Sequence, residues 1–120
     1  MWQGVDKRRF PRLHYPCKVI VFKKGEREKF STQTENIGQG GVCVVLKSGL
    51  DKFSLVELVL YLENSQLPIE CDGRVVWVVK MAEEFDTGIE FISIKEKDAL
   101  RIEGLIQECL KTQGTSSNRH

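Results

Sequence analysis

The chain has 120 residues, 41% hydrophobic and 29% charged, with a formal net charge of +1. That length supports one domain with one modest core, and the composition is that of an ordinary soluble chain rather than a disordered or membrane one. No apolar run is long enough to cross a bilayer, so membrane insertion is not expected. The charge is sorted along the chain: residues 1–24 carry seven Lys or Arg against one acid, and residues 51–110 carry six against thirteen. A basic head on an acidic body favours a small anion over long nucleic acid, which needs phosphate contacts spread over a broad positive face. The first six residues lack the apolar stretch of a secretion signal, and a cytoplasmic location is expected.

Residues 1–15 show no sustained periodicity and read as a flexible basic arm containing Lys7-Arg8-Arg9-Phe10-Pro11-Arg12. Arginine forks match phosphate oxygens and the O6/N7 edge of guanine. Standing alone, the cluster reads rather as a solvated arm or a nonspecific polyanion contact. From Pro16 the run Cys17 to Lys23 is β-branched and apolar, Lys24-Gly25-Glu26 supplies a turn, and Glu28 to Thr34 returns as a half-exposed strand. That hairpin delivers the chain into Asn36-Ile37-Gly38-Gln39-Gly40-Gly41, read as a turn between two strands. Glycines there permit close approach or positive φ, and Asn36 offers a donor and an acceptor to a base edge.

Val42 to Leu46 and Val56 to Leu62 read as further strands, separated by a loop at Lys47 to Asp51. Leu67 to Val79 is long for one strand, and Asp72-Gly73 within it invites a bulge of the kind that turns a barrel corner. Phe85 to Phe91 closes the strand series. The period then changes: Ser93 and Glu96 have capping-box spacing, and Ala99, Ile102, Ile106, Cys109 and Leu110 recur as one helical face. A polar tail is expected over 111–120, leaving 16–110 as the folded domain. Successive short strands followed by one helix favour a small closed barrel, because closure removes strand edges.

The four cysteines are widely spaced without a C-x-x-C pair, and three of them, Cys17, Cys43 and Cys71, sit in apolar runs and read as reduced, buried thiols; no metal or cofactor is expected. No nucleophile with its base, metal-ligand set or paired carboxylate motif is visible, so an enzyme is not expected. Aromatics spaced along a strand for single-strand stacking are also missing, so no nucleic-acid partner is expected. Trp77, inside Val-Val-Trp-Val-Val, has the setting of a core residue.

The arrangement resembles a PilZ domain, the bacterial receptor module for cyclic di-GMP. Arg8 and Arg12, with Arg9 between, match R-x-x-x-R, and Asn36 and Gly41 match [D/N]-x-S-x-x-G, with Gly38 where the motif has serine. Gly73-Arg74-Val75-Val76-Trp77 and Thr87-Gly88-Ile89-Glu90-Phe91 look like the family's strand signatures. The resemblance implies a mainly β fold, a six-stranded antiparallel PilZ-type barrel with a C-terminal α-helix, over whose surface the arginine arm folds onto the ligand. It implies Arg8, Arg9 and Arg12 on phosphate or guanine, Asn36 on a guanine edge, Gly38 and Gly41 beside the ligand, and Trp77 flanking a base. The implied role is a receptor whose arm changes on binding and signals to a bacterial protein partner. The alternative is an adaptor that keeps the fold and has lost the nucleotide.

Overall fold

The computed structural model describes residues 12–13, 16–38, 40–62 and 67–117, with backbone alone at 12–13 and 111–117. Its strands are β1 (Arg12–Leu13), β2 (Lys18–Lys23), β3 (Lys29–Gly38), β4 (Gly41–Leu46), β5 (Leu55–Tyr61), β6 (Ile69–Met81) and β7 (Glu84–Ser93), followed by helix α1 (Glu96–Ser117). Every pairing is antiparallel. The order β3-β2-β5-β6-β7-β4 closes through a β3–β4 pairing, which makes the expected six-stranded barrel, and β1 pairs two residues further along the β3 edge that carries β2.

Alternation along the strands fills this barrel. Val19 and Val21 from β2, Val42, Val44 and Leu46 from β4, and Val56, Leu58 and Leu60 from β5 are buried in one cluster with Ile37, Ile69, Val75 and Ile89. Period-two burial of β-branched and leucine side chains puts one face of each strand inside and the next residues outside. Ile102 and Ile106 of α1 join the same cluster, at 0% and 1% exposure, so the helix is part of the core. It rests against β1 and β3. Arg101 fastens it to the body by donating to the Leu67 carbonyl at 2.7 Å, and within the helix it pairs with the buried Asp98 at 3.2 Å.

Several local expectations shift. Ser93 does not cap the helix: it is the last residue of β7, paired with Asp72, and the helix starts three residues later, its first intrahelical bonds running from the Asp98 and Ala99 N–H groups to the Lys95 carbonyl. Leu110 is 37% exposed, while Leu105 and Cys109 pack toward the core. The helical backbone runs on to Ser117, past residue 110 where its end was expected. The anticipated irregularity in β6 is present as a register shift at Asp72/Gly73, and a second, unforeseen one lies at Val75/Trp77. Gly25, with φ +84°, supplies the β2–β3 turn.

A candidate ligand surface on the outer face of the barrel

The stretch read as a turn is mostly strand. β3 continues through Asn36 and Ile37 to Gly38, β4 begins at Gly41, and the connection is only residues 39–40. The reason is a register shift between Thr34 and Asn36 opposite β4, which inserts Glu35 as an extra residue. Strict alternation from Phe30, Thr32 and Thr34 would point Asn36 inward. The bulge reverses it, so Ile37 enters the core at 0% exposure and half-buried Asn36 takes the outer face.

Residues directly opposite in a ladder share a face, so register shows what accompanies Asn36 there. Asn36 pairs with Cys43, Cys43 with Gly88, and Gly88 with Trp77, forming one rung across β3, β4, β7 and β6. Val42 and Val44 on either side of Cys43 are core residues, which puts this rung outside. Strand spacing of about 4.8 Å makes it roughly 14 Å wide. The neighbouring rung carries Gly41 opposite Glu90 and Glu90 opposite Arg74, whose side chains approach to 3.9 Å. Both are more than 40% exposed, so this ion pair adds little to stability.

Trp77 reaches the outside through the second register shift. Val75 is in the core and Val78 packs against it, three residues apart, so the residue between them that would have alternated inward is turned out. Its half-buried indole lies over Gly88: a Cβ built there would collide with the ring. Gly88 therefore makes the seat for the aromatic ring.

The two motif glycines also have close partners in the fold. A Cβ at Gly41 would run into the Ile89 carbonyl oxygen and stand 2.9 Å from the Glu90 Cα, so β4 approaches β7 as only glycine permits. The adjoining Gly40 carbonyl accepts the Phe91 N–H at 2.9 Å, pinning the connection to β7. Gly38 is buried and lies directly opposite Arg12, with Leu13 opposite Ile37. The backbone of Arg12 and Leu13 is thus laid beside the Asn36 strand. Arg8 and Arg9 lie outside the described residues.

Sequence reading named Arg12, Asn36, Gly38, Gly41 and Trp77 and missed their neighbours Cys43, Arg74, Gly88 and Glu90 as members of one surface. A partial signal was apolar Ile37 falling three residues after Thr34; the run Val75 to Val79 is apolar at every position and marks no slip in sequence. A groove of about 690 Å3 opens beside this surface between Lys29–Glu35 and Val45–Lys47, where the β3–β4 ladder has ended and the Thr32 hydroxyl donates to the Val45 carbonyl at 2.9 Å. Its lining includes none of those five motif residues.

Buried thiols here are held neutral. Burial raises the Cys17 pKa above its ordinary 9.0 against the opposing hydrogen bond from Thr34. Burial, then the negative charges of Asp72 and Asp98, push Cys71 up to about 12. Lys24 sits away from the surface above, between Asp72 at 3.2 Å and Glu57 at 3.3 Å. Among the described residues no group of three or more His, Cys, Asp or Glu is placed to hold a metal ion, and no helix is long and apolar enough to cross a membrane.

The PilZ domain model matches residues 6–108. Among solved structures, the chain is similar to the Bacillus subtilis inhibitor of motility MotI/DgrA, with 23% identity and a TM-score of 0.73, covering 94% of this chain and 53% of that one. It is similar to the K. pneumonia MrkH–c-di-GMP complex, with 19% identity and a TM-score of 0.75, covering 91% and 55%. The PilZ domain of Escherichia coli YcgR with c-di-GMP matches at 10% identity and a TM-score of 0.68, covering 95% and 99%. The chain thus spans about half the length of the first two and nearly all of the third. No curated protein matches it.

Proposed function

The chain belongs to the PilZ domain family, and from that premise we propose that it is a non-enzymatic cyclic di-GMP receptor of the bacterial cytoplasm. One observation carries the reading. Arg12 is paired opposite Gly38, which brings the last arginine of the R-x-x-x-R motif to the strand that turns Asn36 outward. The ligand is a ring with two phosphates and two guanines. Arg8, Arg9 and Arg12 pair with its phosphates or with guanine O6 and N7, and Asn36 hydrogen-bonds a guanine edge. Trp77, seated on Gly88 one rung across, flanks a base. Gly38 and Gly41 lie beside the ligand without obstructing it. Two solved relatives, MrkH and the YcgR PilZ domain, carry c-di-GMP in their structures, which supports this ligand over other nucleotides.

The arm has no periodicity of its own in sequence, so ligand capture orders it and alters the surface offered to a protein partner. Slowed amide exchange over residues 5–14 on ligand addition is the expected mark of that switch. Gly38 in place of serine favours a second reading, an adaptor without the nucleotide.

Titration calorimetry decides between them, using wild type and the Arg8→Ala/Arg12→Ala double variant with GTP and short DNA as competitors. Saturable binding that the double variant loses and the competitors leave alone is the expected result. Silence with cyclic di-GMP overturns the receptor reading in favour of the adaptor.

A further inference from the structure

Thr34 stands where β3 changes register on both of its edges. Toward β4, Thr34 pairs with Val44 but Asn36 pairs with Cys43. Toward β2 and β1, Lys18 pairs with Gln33 but Leu13 with Ile37, a separation of five positions against four on β3. Both slips are bounded by one contact. The Thr34 hydroxyl accepts the Cys17 N–H at 3.0 Å and lies 3.6 Å from the Cys17 sulfur, while the Thr34 N–H donates to the Cys17 carbonyl at 2.9 Å. Thr34 and Cys17 are 2% and 5% exposed.

Little in the local sequence after Thr34 selects the observed register. A one-residue slip exchanges every side chain that follows between the two faces, so competing registers differ in what is buried and in which polar groups are satisfied. Ile37 entering the core favours the observed one. The second selector is the hydroxyl, because a buried Cys17 N–H that loses its acceptor has no water to replace it. The thiol does not compete as an anion, since burial keeps it protonated.

We propose that Thr34 is the positioning residue of the candidate ligand surface: its hydroxyl, joined to Cys17, holds the register in which Asn36 faces outward and Arg12 lies opposite Gly38. The effect on ligand rests on the receptor reading above, whereas the clamp itself is open to test without ligand. Thr34 touches neither base nor phosphate in this account. It acts through Asn36 and Arg12.

The test compares Thr34→Val, which keeps the shape and removes the hydroxyl, with Thr34→Ser, which keeps the hydroxyl, both in the full chain. Ligand-free NMR reads register directly through cross-strand contacts between Arg12 and Gly38 and between Asn36 and Cys43, with Val19–Leu60 in the β2–β5 ladder as reference. In Thr34→Val the first two are expected to vanish or move by one residue while the reference persists, and in Thr34→Ser all three remain. By calorimetry Thr34→Val weakens cyclic di-GMP binding by about tenfold or more, Thr34→Ser retains it, and the valine effect shrinks once Asn36 is already alanine, because only the part carried by Arg12 is left. Loss of the reference contact together with the others would make Thr34 a general stability residue and overturn the proposal. So would an undiminished valine effect in the Asn36→Ala background. If the wild type ignores cyclic di-GMP while the valine still moves the Arg12 and Asn36 contacts, the clamp is upheld and the receptor reading falls.

Discussion

Trp77 lies directly across the β6–β7 ladder from Gly88, its indole occupying the space a side chain at position 88 would fill. The ring is held on the outer face by the absence of one Cβ. Replacing Gly88 by alanine should therefore displace the indole and destabilise the barrel by about 1–3 kcal/mol, the usual cost of overpacking. Chemical denaturation measures the loss, and tryptophan emission in a Trp2→Phe background should shift to the red as the ring gains solvent. A Gly88→Ala protein with unchanged emission and stability would show that the ring has another seat.

Gly41 faces a harder obstacle, because its missing side chain is excluded by the β7 backbone. Backbone cannot swing aside as a ring can. Gly41→Ala is expected to cost at least as much as Gly88→Ala, about 2–3 kcal/mol, and to weaken protection of the β4–β7 amides first. Wild-type melting by the alanine variant would mean that β4 can move off β7 without penalty.

Gly38 offers the opposite outcome. Under the receptor reading, Gly38→Ser supplies the hydroxyl found at this motif position, and one neutral hydrogen bond is worth about 1 kcal/mol, roughly fivefold in affinity. Calorimetry with cyclic di-GMP should show tighter binding. Equal or weaker binding would mean that no partner stands within reach of the new hydroxyl.

The helix is predicted to be structural to the barrel. Ile102 and Ile106 are buried in the common core, so either one cut to alanine should remove about 2–5 kcal/mol. Leu100, 57% exposed on the same helix, is the control and should change stability by less than about 0.5 kcal/mol. Equal effects at 100 and 102 would place the helix off the barrel.

Stability should fall in alkali. Cys71 and Cys17 have pKa values raised above 9.0 in the folded state, Cys71 to about 12. Unfolded thiols ionise near 9.0 while the folded ones stay protonated, so this stability is complete below that pH and drains away up to the folded values. Lys24, raised from 10.5 first by its hydrogen bond to Asp72 and then by Glu57, loses its contribution in the same direction at higher pH. Each thiol sets an upper limit of about 1.4 kcal/mol per pH unit, and solvent access at half-buried Cys71 keeps it below that limit. Urea midpoints between pH 7 and 11 check the slope, which Cys71→Ala should flatten. A midpoint independent of pH across that range would remove burial as the cause.

The strands, their order along the chain and the helix were legible in sequence because period-two and helical burial are local patterns: Val19 and Val21, Val42 and Val44, Ile102 and Ile106 each declare an inward face. The same locality made the arginine cluster and Asn36 recognisable as a pair of motifs. Sequence could not say which face Asn36 and Trp77 would take, because each follows a one-residue slip that reverses the local alternation. Nor could it foresee Ser93 remaining in β7 or Lys95 receiving the first helical N–H groups, since ladder pairing with Asp72 outcompetes a cap. Those outcomes depend on partners far along the chain, Cys17 for Thr34, Gly88 for Trp77 and the β7 backbone for Gly41. Chain sequence determined what each segment prefers locally. Closure of the barrel decided the register, because only there do burial of Ile37 and satisfaction of the Cys17 N–H act together.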